Sequence, residues 1–250
     1  MNQDTWTANL SKSACPPWPC PACGRGHVAL VADSLEAVET AKSVAARADR
    51  DWEPYWVEYA FVAWGKCTDP RCGETFAMAG DGGANESFDP DEGPAYPDYF
   101  TPRVCVPMPP LIDVSSSAPA PLSAALEEAF SVFWISPAAC AGRLRVAVER
   151  LMDHVGVAKT RPNKKGAQRR LTLNQRLEAF KEHNEPMGSL LIAVKWLGNT
   201  GSHDDVTAAD VLDGLEIMEH VIAEVVDGRS GRISQIADRL IAKHQPEDSI

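Results

Sequence analysis

Apolar residues in the second half of the chain recur at the spacing of an α-helix. After Ser136-Pro137, a pair typical of a helix start, apolar positions fall three or four residues apart. These positions are Cys140, Leu144, Val148, Leu151 and Val155. A second seam of this kind comprises Ala208, Val211, Leu215, Met218, Ile222 and Val225. The regular second seam suits either an antiparallel bundle or a contact between two copies of the chain.

Four further helices are predicted around these two seams. One covers residues 121–134 and another covers about residues 231–244. Thr172 and Gln175 fit a capping box, which indicates that a helix begins there. A short apolar helix before Gly198 is predicted to end at that glycine in the left-handed conformation. The second half of the chain is therefore predicted to be a helical bundle.

The first hundred residues show features of β-structure instead. WVEYAFVAW at residues 56–64 alternates roughly and is rich in β-forming residues, and ETFAMAG at 74–80 is a candidate partner strand. Residues 33–50 place four apolar side chains on one helical face, which predicts a helix inserted into this β unit. The expected fold class is α+β, mainly α.

Charge along the chain limits the partners that its overall field can attract. The 250 residues include 44% apolar residues, enough for a core, and carry a formal net charge of −11. Residues 1–117 account for −9 of this charge and residues 118–250 for −2. A protein that coats DNA or anionic membrane through its overall field is therefore excluded. Without a visible targeting segment or membrane span, a cytoplasmic protein that does not bind membranes is expected.

One basic segment departs from this acidic background. KTRPNKKGAQRR, residues 159–170, contains six basic residues and no acidic one. In a loop between helices, such a cluster is able to bind the phosphates of nucleic acid, which makes RNA a candidate ligand. The candidate nucleic-acid-binding residues are Arg161, Lys164, Lys165, Arg169 and Arg170. The alternative is a solvated, mobile loop.

Two pairs of cysteines carry the clearest chemical signal. CPAC contains Cys20 and Cys23, and CTDPRC contains Cys67 and Cys72, with a glycine directly after each pair. Four thiolates at two tight turns are typical of a closed, structural Zn²⁺ site, and adjoining strands give a zinc-ribbon layout. The alternatives are reduced thiols without metal, or a ligand set that includes Cys15 or His27.

Composition then suggests where the domains begin and end. Residues 1–14 are expected to be a flexible tail, and residues 15–100 a zinc-ribbon domain with a helical insertion. TPRVCVPMPPLIDVSSSAPAPL is rich in Pro and Ser, so residues 101–120 are predicted to be a linker rather than a helix or central strand. The helical bundle is assigned to residues 121–245.

The order of motifs resembles a known family. CPAC, CTDPRC, the Pro-rich link, RLRVAVERLMDHVGV, LNQRLEAFKEHN and KWLGNTGSH follow one another as in the bacterial domain-of-unknown-function family numbered 4145. The most specific elements are Arg145 with Glu149, and Gly198-Asn199 followed by His203. That family is similar to the HEPN superfamily (higher eukaryotes and prokaryotes nucleotide-binding). The resemblance implies a HEPN-like antiparallel helical bundle, a homodimer, and a protein partner in a bacterial defence or toxin–antitoxin system.

Active HEPN members are metal-independent ribonucleases, and the resemblance places their motif at the turn after Lys195. They carry an Arg, commonly followed by Asn, and then a His that moves protons at the ribose hydroxyl. Here Gly198 stands where the Arg is expected, while Asn199 and His203 remain. Lys195 lies four residues before Asn199 and offers a positive charge, although not a bidentate phosphate clamp. Arg143 and Arg150 are other candidates for binding the phosphate.

Two functions and one purely structural interpretation are compatible with these residues. The first function is a dimeric binding or assembly protein, accessory to a defence or toxin–antitoxin system. The second is a ribonuclease with His203 as acid and base, Asn199 orienting it, and Lys195 on the phosphate. In the structural interpretation, Gly198 only ends a helix, Asn199 binds local backbone and His203 stabilises the next helix start.

Overall fold

The computed structural model describes residues 2–90, 93–200 and 206–244. These residues form two compact units. The N-terminal unit consists of Met1–Leu111 with Glu127–Cys140 and Thr207–Ala209. The C-terminal unit consists of Ile112–Leu126, Ala141–Val206 and Asp210–Ile250. Together they make a mixed α+β protein with an antiparallel sheet in the first part and helices in the second, which confirms the predicted fold class.

An antiparallel sheet forms the body of the N-terminal unit. The elements in chain order are α1 (Asp4–Thr7), β1 (Val28–Leu30), β2 (Glu36–Glu39), α2 (Ala41–Ala46), β3 (Glu58–Cys67), β4 (Thr75–Ala84), β5 (Ser87–Asp89), β6 (Gly93–Ala95) and β7 (Asp98–Val106). The sheet has the order β1-β3-β4-β7, and β2 also pairs with β3. Strands β5 and β6 form a separate two-stranded ladder.

The long strands β3 and β4 confirm the two strands predicted from alternation. Side chains of β3 alternate between buried and exposed, with Phe61 and Ala63 inside and Val62 and Trp64 outside. Phe61 meets Phe100 edge to face at 5.4 Å, so the inner face of the sheet is closed by aromatic packing. This sheet extends to Cys67, the last residue of β3, and thereby positions the second cysteine turn.

The helix predicted over residues 33–50 is wrong in its first half. Residues Glu36–Glu39 form β2, which pairs with β3 so that Val38 lies opposite Ala60. Only Ala41–Ala46 is helical, and it begins where the Thr40 side chain accepts a hydrogen bond from the Ser43 amide. The free edge of β3 offers a complete hydrogen-bond ladder, which outweighs the local helical pattern.

The structure also differs from the predicted flexible tail and linker. Trp6 and Leu10 are buried, and the Trp134 indole donates to the Trp6 carbonyl at 3.1 Å. The predicted linker begins inside β7, whose residues pair with β4. Pro102 is accommodated because β7 is the last strand in the sheet order and the register shifts beside its partner. Ordered packing therefore extends beyond both ends of residues 15–100, the range that was assigned to the first domain.

Helices dominate the second half of the chain. Its elements are α3 (Ala120–Val132), α4 (Pro137–His154), β8 (Thr160–Pro162), β9 (Gln168–Arg170), α5 (Leu173–Lys181), α6 (Glu185–Thr200), α7 (Ala208–Val225) and α8 (Arg229–His244). The Ser136 hydroxyl caps α4 and the Thr172–Gln175 capping box is present at α5, as predicted. The basic segment predicted to be a loop is instead the β8–β9 hairpin.

The apolar seams are buried within the C-terminal unit. Leu144, Val148 and Leu151 on α4 are fully buried, and the α7 seam is at most 1% exposed from Val211 to Ile222. Of the two alternatives for the α7 seam, the structure therefore shows packing within the chain rather than a contact between copies. Among the helices of the described residues, none has the length and apolar character that a bilayer span requires.

Gly198 does not end a helix, contrary to prediction. It lies inside α6, and the structure does not place it in the left-handed region. A Cβ at this position would lie 2.8 Å from the Ala141 carbonyl oxygen and 2.9 Å from the Arg145 Cβ. Glycine is therefore required for close approach of α6 to α4, since such contacts are too short for a side chain.

Helix α8 is exposed on every side. It carries four exposed aliphatic side chains, with Ile233 at 54% and Leu240 at 53% exposure. Ile236 and Ile241 complete this set, which we call the α8 stripe. The other positions include four Arg or Lys residues and a single Asp, so the helix is basic on a chain that is acidic overall.

Candidate functional site

Four cysteines from two distant turns meet at one point of the N-terminal unit. The sulfur atoms of Cys20, Cys23, Cys67 and Cys72 all lie within 4.8 Å of one another. The Cys20–Cys72 and Cys23–Cys67 sulfur pairs are 3.8 and 3.7 Å apart. A tetrahedron of thiolates about 2.3 Å from a zinc ion has sulfur–sulfur edges of about 3.8 Å. The geometry of the cluster therefore fits a tetrahedral metal ion, as the two cysteine pairs predicted.

Each turn is shaped by the glycine that follows its second cysteine. Gly24 and Gly73 have φ values of 63° and 69°, a conformation that side-chain-bearing residues rarely adopt. Backbone amides then approach sulfur: the Gly26 amide lies 3.5 Å from Cys23 Sγ and the Asp69 amide 3.4 Å from Cys67 Sγ. These N–H groups stabilise thiolates, which are the form that binds metal.

The electrostatics of the thiols differ between the two turns. Hydrogen bonds from the Gly26 and Arg25 amides lower the pKa of Cys23 to about 7. Burial raises the pKa of Cys67 to about 12 in the absence of metal. A divalent cation bound by all four sulfurs would displace the remaining protons, because the thiolate is the ligand.

Asp69 supports the second turn and was not singled out from the sequence. Its carboxylate accepts hydrogen bonds from the Arg71 amide at 2.9 Å and from Arg25 Nε at 3.2 Å. The hydrogen bond from the Arg71 amide is the main reason why the pKa of the Asp69 carboxyl is lowered, so Asp69 is ionised at neutral pH. Arg25 lies two residues after Cys23, and Asp69 lies two residues after Cys67, so the Arg25–Asp69 ion pair ties the two turns together. An Asp two residues after a cysteine is a weak sequence signal for such a turn.

Cys15 and His27, the other possible ligands, have different contacts. Cys15 Sγ lies 3.2 Å from the Val28 carbonyl oxygen, and His27 Nδ1 lies 3.3 Å from the Thr68 hydroxyl. Neither belongs to the group of residues whose ligand atoms converge. Among the described residues, the candidate metal site consists of the four cysteines of the two turns.

A second cluster of polar groups joins α4 to α6. Arg145 Nη1 donates to Asn199 Oδ1 at 3.0 Å, beside the close approach at Gly198. An arginine is thus present next to Asn199, although it comes from α4 and not from the position that precedes Asn199. Sequence spacing alone could not predict this pairing, because the two residues are 54 positions apart.

Lys195 is placed where a phosphate contact is not expected. The residue is only 4% exposed, and its ammonium group donates to Asn174 Oδ1 at 2.9 Å. It also lies 3.5 Å from the centroid of the Trp196 ring. Burial is the main cause of a lowered pKa for this lysine. Its contacts stabilise the C-terminal unit, and His203, its proposed catalytic companion, lies outside the described residues.

The candidate nucleic-acid-binding residues all lie on the β8–β9 hairpin. In its ladder, Arg161 faces Arg169 and Thr160 faces Arg170, and all these side chains are exposed. The turn between the strands is closed by Asn163, whose side chain accepts the Lys165 and Ala167 amides. The hairpin therefore presents Arg161, Lys164, Lys165, Arg169 and Arg170 on an ordered support.

Comparison with known proteins found two family models. Residues 8–104 match Domain of unknown function (DUF8608). Residues 127–244 match Domain of unknown function (DUF4145). Searches of curated proteins and of solved structures found no match. The region from residue 127 to residue 244, which contains the Arg145–Asn199 pair, therefore matches the DUF4145 family, as the later motifs predicted. The cysteine motifs CPAC and CTDPRC, which were assigned to the same family, lie in the region that matches DUF8608 instead.

Proposed function

We propose that this chain is a HEPN-like, dimerising binding protein with a structural zinc site, accessory to a bacterial defence or toxin–antitoxin system. The cellular setting and the HEPN likeness come from the resemblance of its motifs. The observation that carries the dimerising role is the α8 stripe, an apolar surface exposed along a whole helix. A protein partner of that system would bind the assembled dimer.

Zinc is the metal that best suits the four-cysteine site. Thiolate ligands in a tetrahedron favour Zn²⁺ over the hard cations Mg²⁺ and Ca²⁺, which prefer oxygen. Four cysteine sulfurs would fill every position around a tetrahedral ion, so none would remain for water or substrate. A closed site of this kind supplies folding free energy to the sheet that holds it rather than chemistry.

The α8 stripe supports a contact between two copies. A helix of 16 residues is only marginally stable in water without tertiary packing. Covering Ile233, Ile236 and Leu240, which are spaced three and four residues apart, would provide that packing. The same stripe on a second copy offers matching side chains, and the corresponding seam of α7 is already buried in its own chain.

Mutation of the α8 stripe tests this proposal. The wild-type protein is expected to have twice the protomer mass of 27.1 kDa in light scattering after gel filtration. Ile236→Glu with Leu240→Glu is expected to reduce it to the protomer mass, because two carboxylates would be buried without partners. The control is Gln235→Glu, an exposed polar position on the same helix. A wild-type protein that stays at protomer mass at high concentration contradicts the proposal, as does a dimeric double variant.

A metal-independent ribonuclease is the second candidate, and the Arg145–Asn199 hydrogen bond favours it. Arg145 could bind a phosphate with its planar fork while Asn199 holds the guanidinium in position. His203 would then move the proton at the ribose hydroxyl, at the dimer interface that the resemblance implies. Lys195 has no part in this version, since its ammonium group is buried against Asn174 and Trp196.

RNA cleavage in the presence of EDTA tests the second candidate. If the protein is a ribonuclease, His203→Ala is expected to reduce the cleavage rate at least about 100-fold, because it removes the acid–base group. His154→Ala, at the exposed end of α4, is the matched control and should cleave like the wild type. RNA that stays intact at micromolar wild-type protein, or cleavage that survives His203→Ala, rejects this candidate.

A further inference from the structure

A cleft of about 620 Å³ in the C-terminal unit shares one lining residue, Arg145, with the ribonuclease candidate discussed above. It lies between α4, the β8–β9 hairpin and the beginning of α5. Its lining includes five basic side chains, Arg145, Arg150, Lys159, Arg170 and Arg176, and two acidic ones, Glu149 and Asp153. The cleft therefore has an excess of three positive charges, on a chain whose net charge is −11.

One acidic residue in the cleft organises the basic ones around it. Asp153 accepts from Arg176 Nη2 at 2.8 Å and from Lys159 Nζ at 2.9 Å, and Arg150 lies 3.7 Å away. Burial tends to raise the pKa of Asp153, but the hydrogen bonds from Lys159 and Arg176 outweigh it and lower the pKa. Asp153 is therefore ionised and holds three cations close together, which costs free energy through their mutual repulsion.

Arg176 is the feature of this cleft that points to a ligand. Its side chain is only 7% exposed, and Nη2 is held by Asp153 and by the Val157 carbonyl at 3.0 Å. Its Nε–H group is buried and has no acceptor among the described residues. A buried guanidinium donor without an acceptor is costly, so an acceptor supplied by a ligand would be stabilising.

Two further features of the cleft favour an anion. The Nε–H of Arg145 is likewise buried without an acceptor among the described residues. The first turn of α5, at Thr172 and Leu173, also lines the cleft, and the positive end of a helix dipole attracts negative charge. Two arginines with buried, unsatisfied donors and a helix N-terminus thus line one cavity of sufficient size for a phosphate and an attached sugar.

We infer that this cleft binds a phosphate group, carried either by a nucleic-acid strand or by a free nucleotide. Arg150 and Arg170, at positions that line the cleft, would contact the phosphate oxygens, and Arg176 would supply a buried fork donor. The exposed side chains of the hairpin turn, Lys164 and Lys165, lie outside the lining of the cleft. Arg145 is shared with the ribonuclease candidate, but phosphate binding in this cleft requires neither dimerisation nor cleavage of RNA.

Binding measurements with two probes test the inference. Adenosine 5′-monophosphate is titrated by calorimetry, and a short fluorescent single-stranded RNA is titrated by anisotropy, both at low ionic strength. Replacing Arg150 and Arg170 together by Ala is expected to weaken binding of the recognised probe at least about tenfold, because charge-assisted hydrogen bonds are lost. Arg176→Lys is expected to weaken it as well, since lysine keeps the charge but lacks the fork.

The matched control removes two charges from the same unit but outside the cleft, by Arg239→Ala with Lys243→Ala on the exposed helix α8. It should leave binding of the monophosphate unchanged. Specific loss of monophosphate binding in the cleft variants identifies a free nucleotide as the ligand, and specific loss of RNA binding alone identifies a strand. Failure of both probes to bind the wild-type protein overturns the inference. Equal loss in the cleft and control variants overturns it too, since only the general charge of the unit would then matter.

Discussion

Replacement of Cys67 by Ser is expected to abolish metal binding and unfold the N-terminal unit. Cys67 ends the central strand β3 and is buried beside the other three sulfurs. Structural zinc sites contribute on the order of 10 kcal/mol to folding, which is comparable to the whole stability of a domain. The expected result is a protein without bound zinc that has lost the near-UV circular dichroism of Trp18 and its neighbours.

Cys105 provides the matched control for this experiment. It is also buried in the N-terminal unit, on β7, but its sulfur lies 3.5 Å from the Pro107 carbonyl oxygen and outside the metal cluster. Cys105→Ser is expected to keep one zinc ion per chain and to cost only about 1–3 kcal/mol, as for other buried polar replacements. If Cys67→Ser folds normally without metal, the structural role of the site is disproved.

The second large effect is expected at Gly198. Replacement by Arg places arginine before Asn199, where the active HEPN motif has it, yet we expect destabilisation instead of a ribonuclease. Any Cβ at residue 198 meets the Ala141 carbonyl at 2.8 Å, so α6 and α4 would have to separate. Gly198→Ala is expected to cost about 1–3 kcal/mol, and Gly198→Arg considerably more.

Gly142 offers a control on the helix that faces Gly198. It also lies inside a helix, α4, but a Cβ there would meet nothing within 4 Å. Gly142→Ala is expected to stabilise the protein by about 0.5–1 kcal/mol, because alanine is the better helix former. Thermal and urea unfolding of the variants measure these effects. Equal stability of Gly198→Ala and Gly142→Ala would show that the close approach of α4 and α6 has no energetic importance.

The sequence predicted the features that depend on neighbours along the chain. The Ser136 cap, the Thr172–Gln175 capping box and the glycines after each cysteine pair are encoded within a few residues, and the structure confirms them. The prediction that the two cysteine pairs share one site is also confirmed, since their four sulfur atoms lie together. Two tight turns with this spacing of cysteines are typical of a four-thiolate site. Strands β3 and β4 followed from alternation and composition.

The features that the sequence did not predict depend on residues far apart. Glu36–Glu39 has a helical pattern, but β3 supplies an edge with which it pairs. Gly198 resembles a helix end, but its role is fixed by Ala141 on another helix. Arg176 resembles an ordinary helical arginine, and only the fold shows that it is buried beside Asp153. In each case a tertiary contact decides between structures that the local sequence permits.

The two cysteine turns also have a consequence for how the chain is made and maintained. Their sulfur contacts join positions 44 and 52 residues apart, so a metal ion bound by all four would act as a reversible cross-link. Closing a loop of about 50 residues by a covalent bond would lower the entropy of the unfolded chain and so raise its free energy by about 4 kcal/mol. During translation the link cannot form until Cys72 has left the ribosome. Afterwards it would open whenever the ion is withdrawn, so the lifetime of this half of the molecule would be coupled to the supply of that metal in the cell.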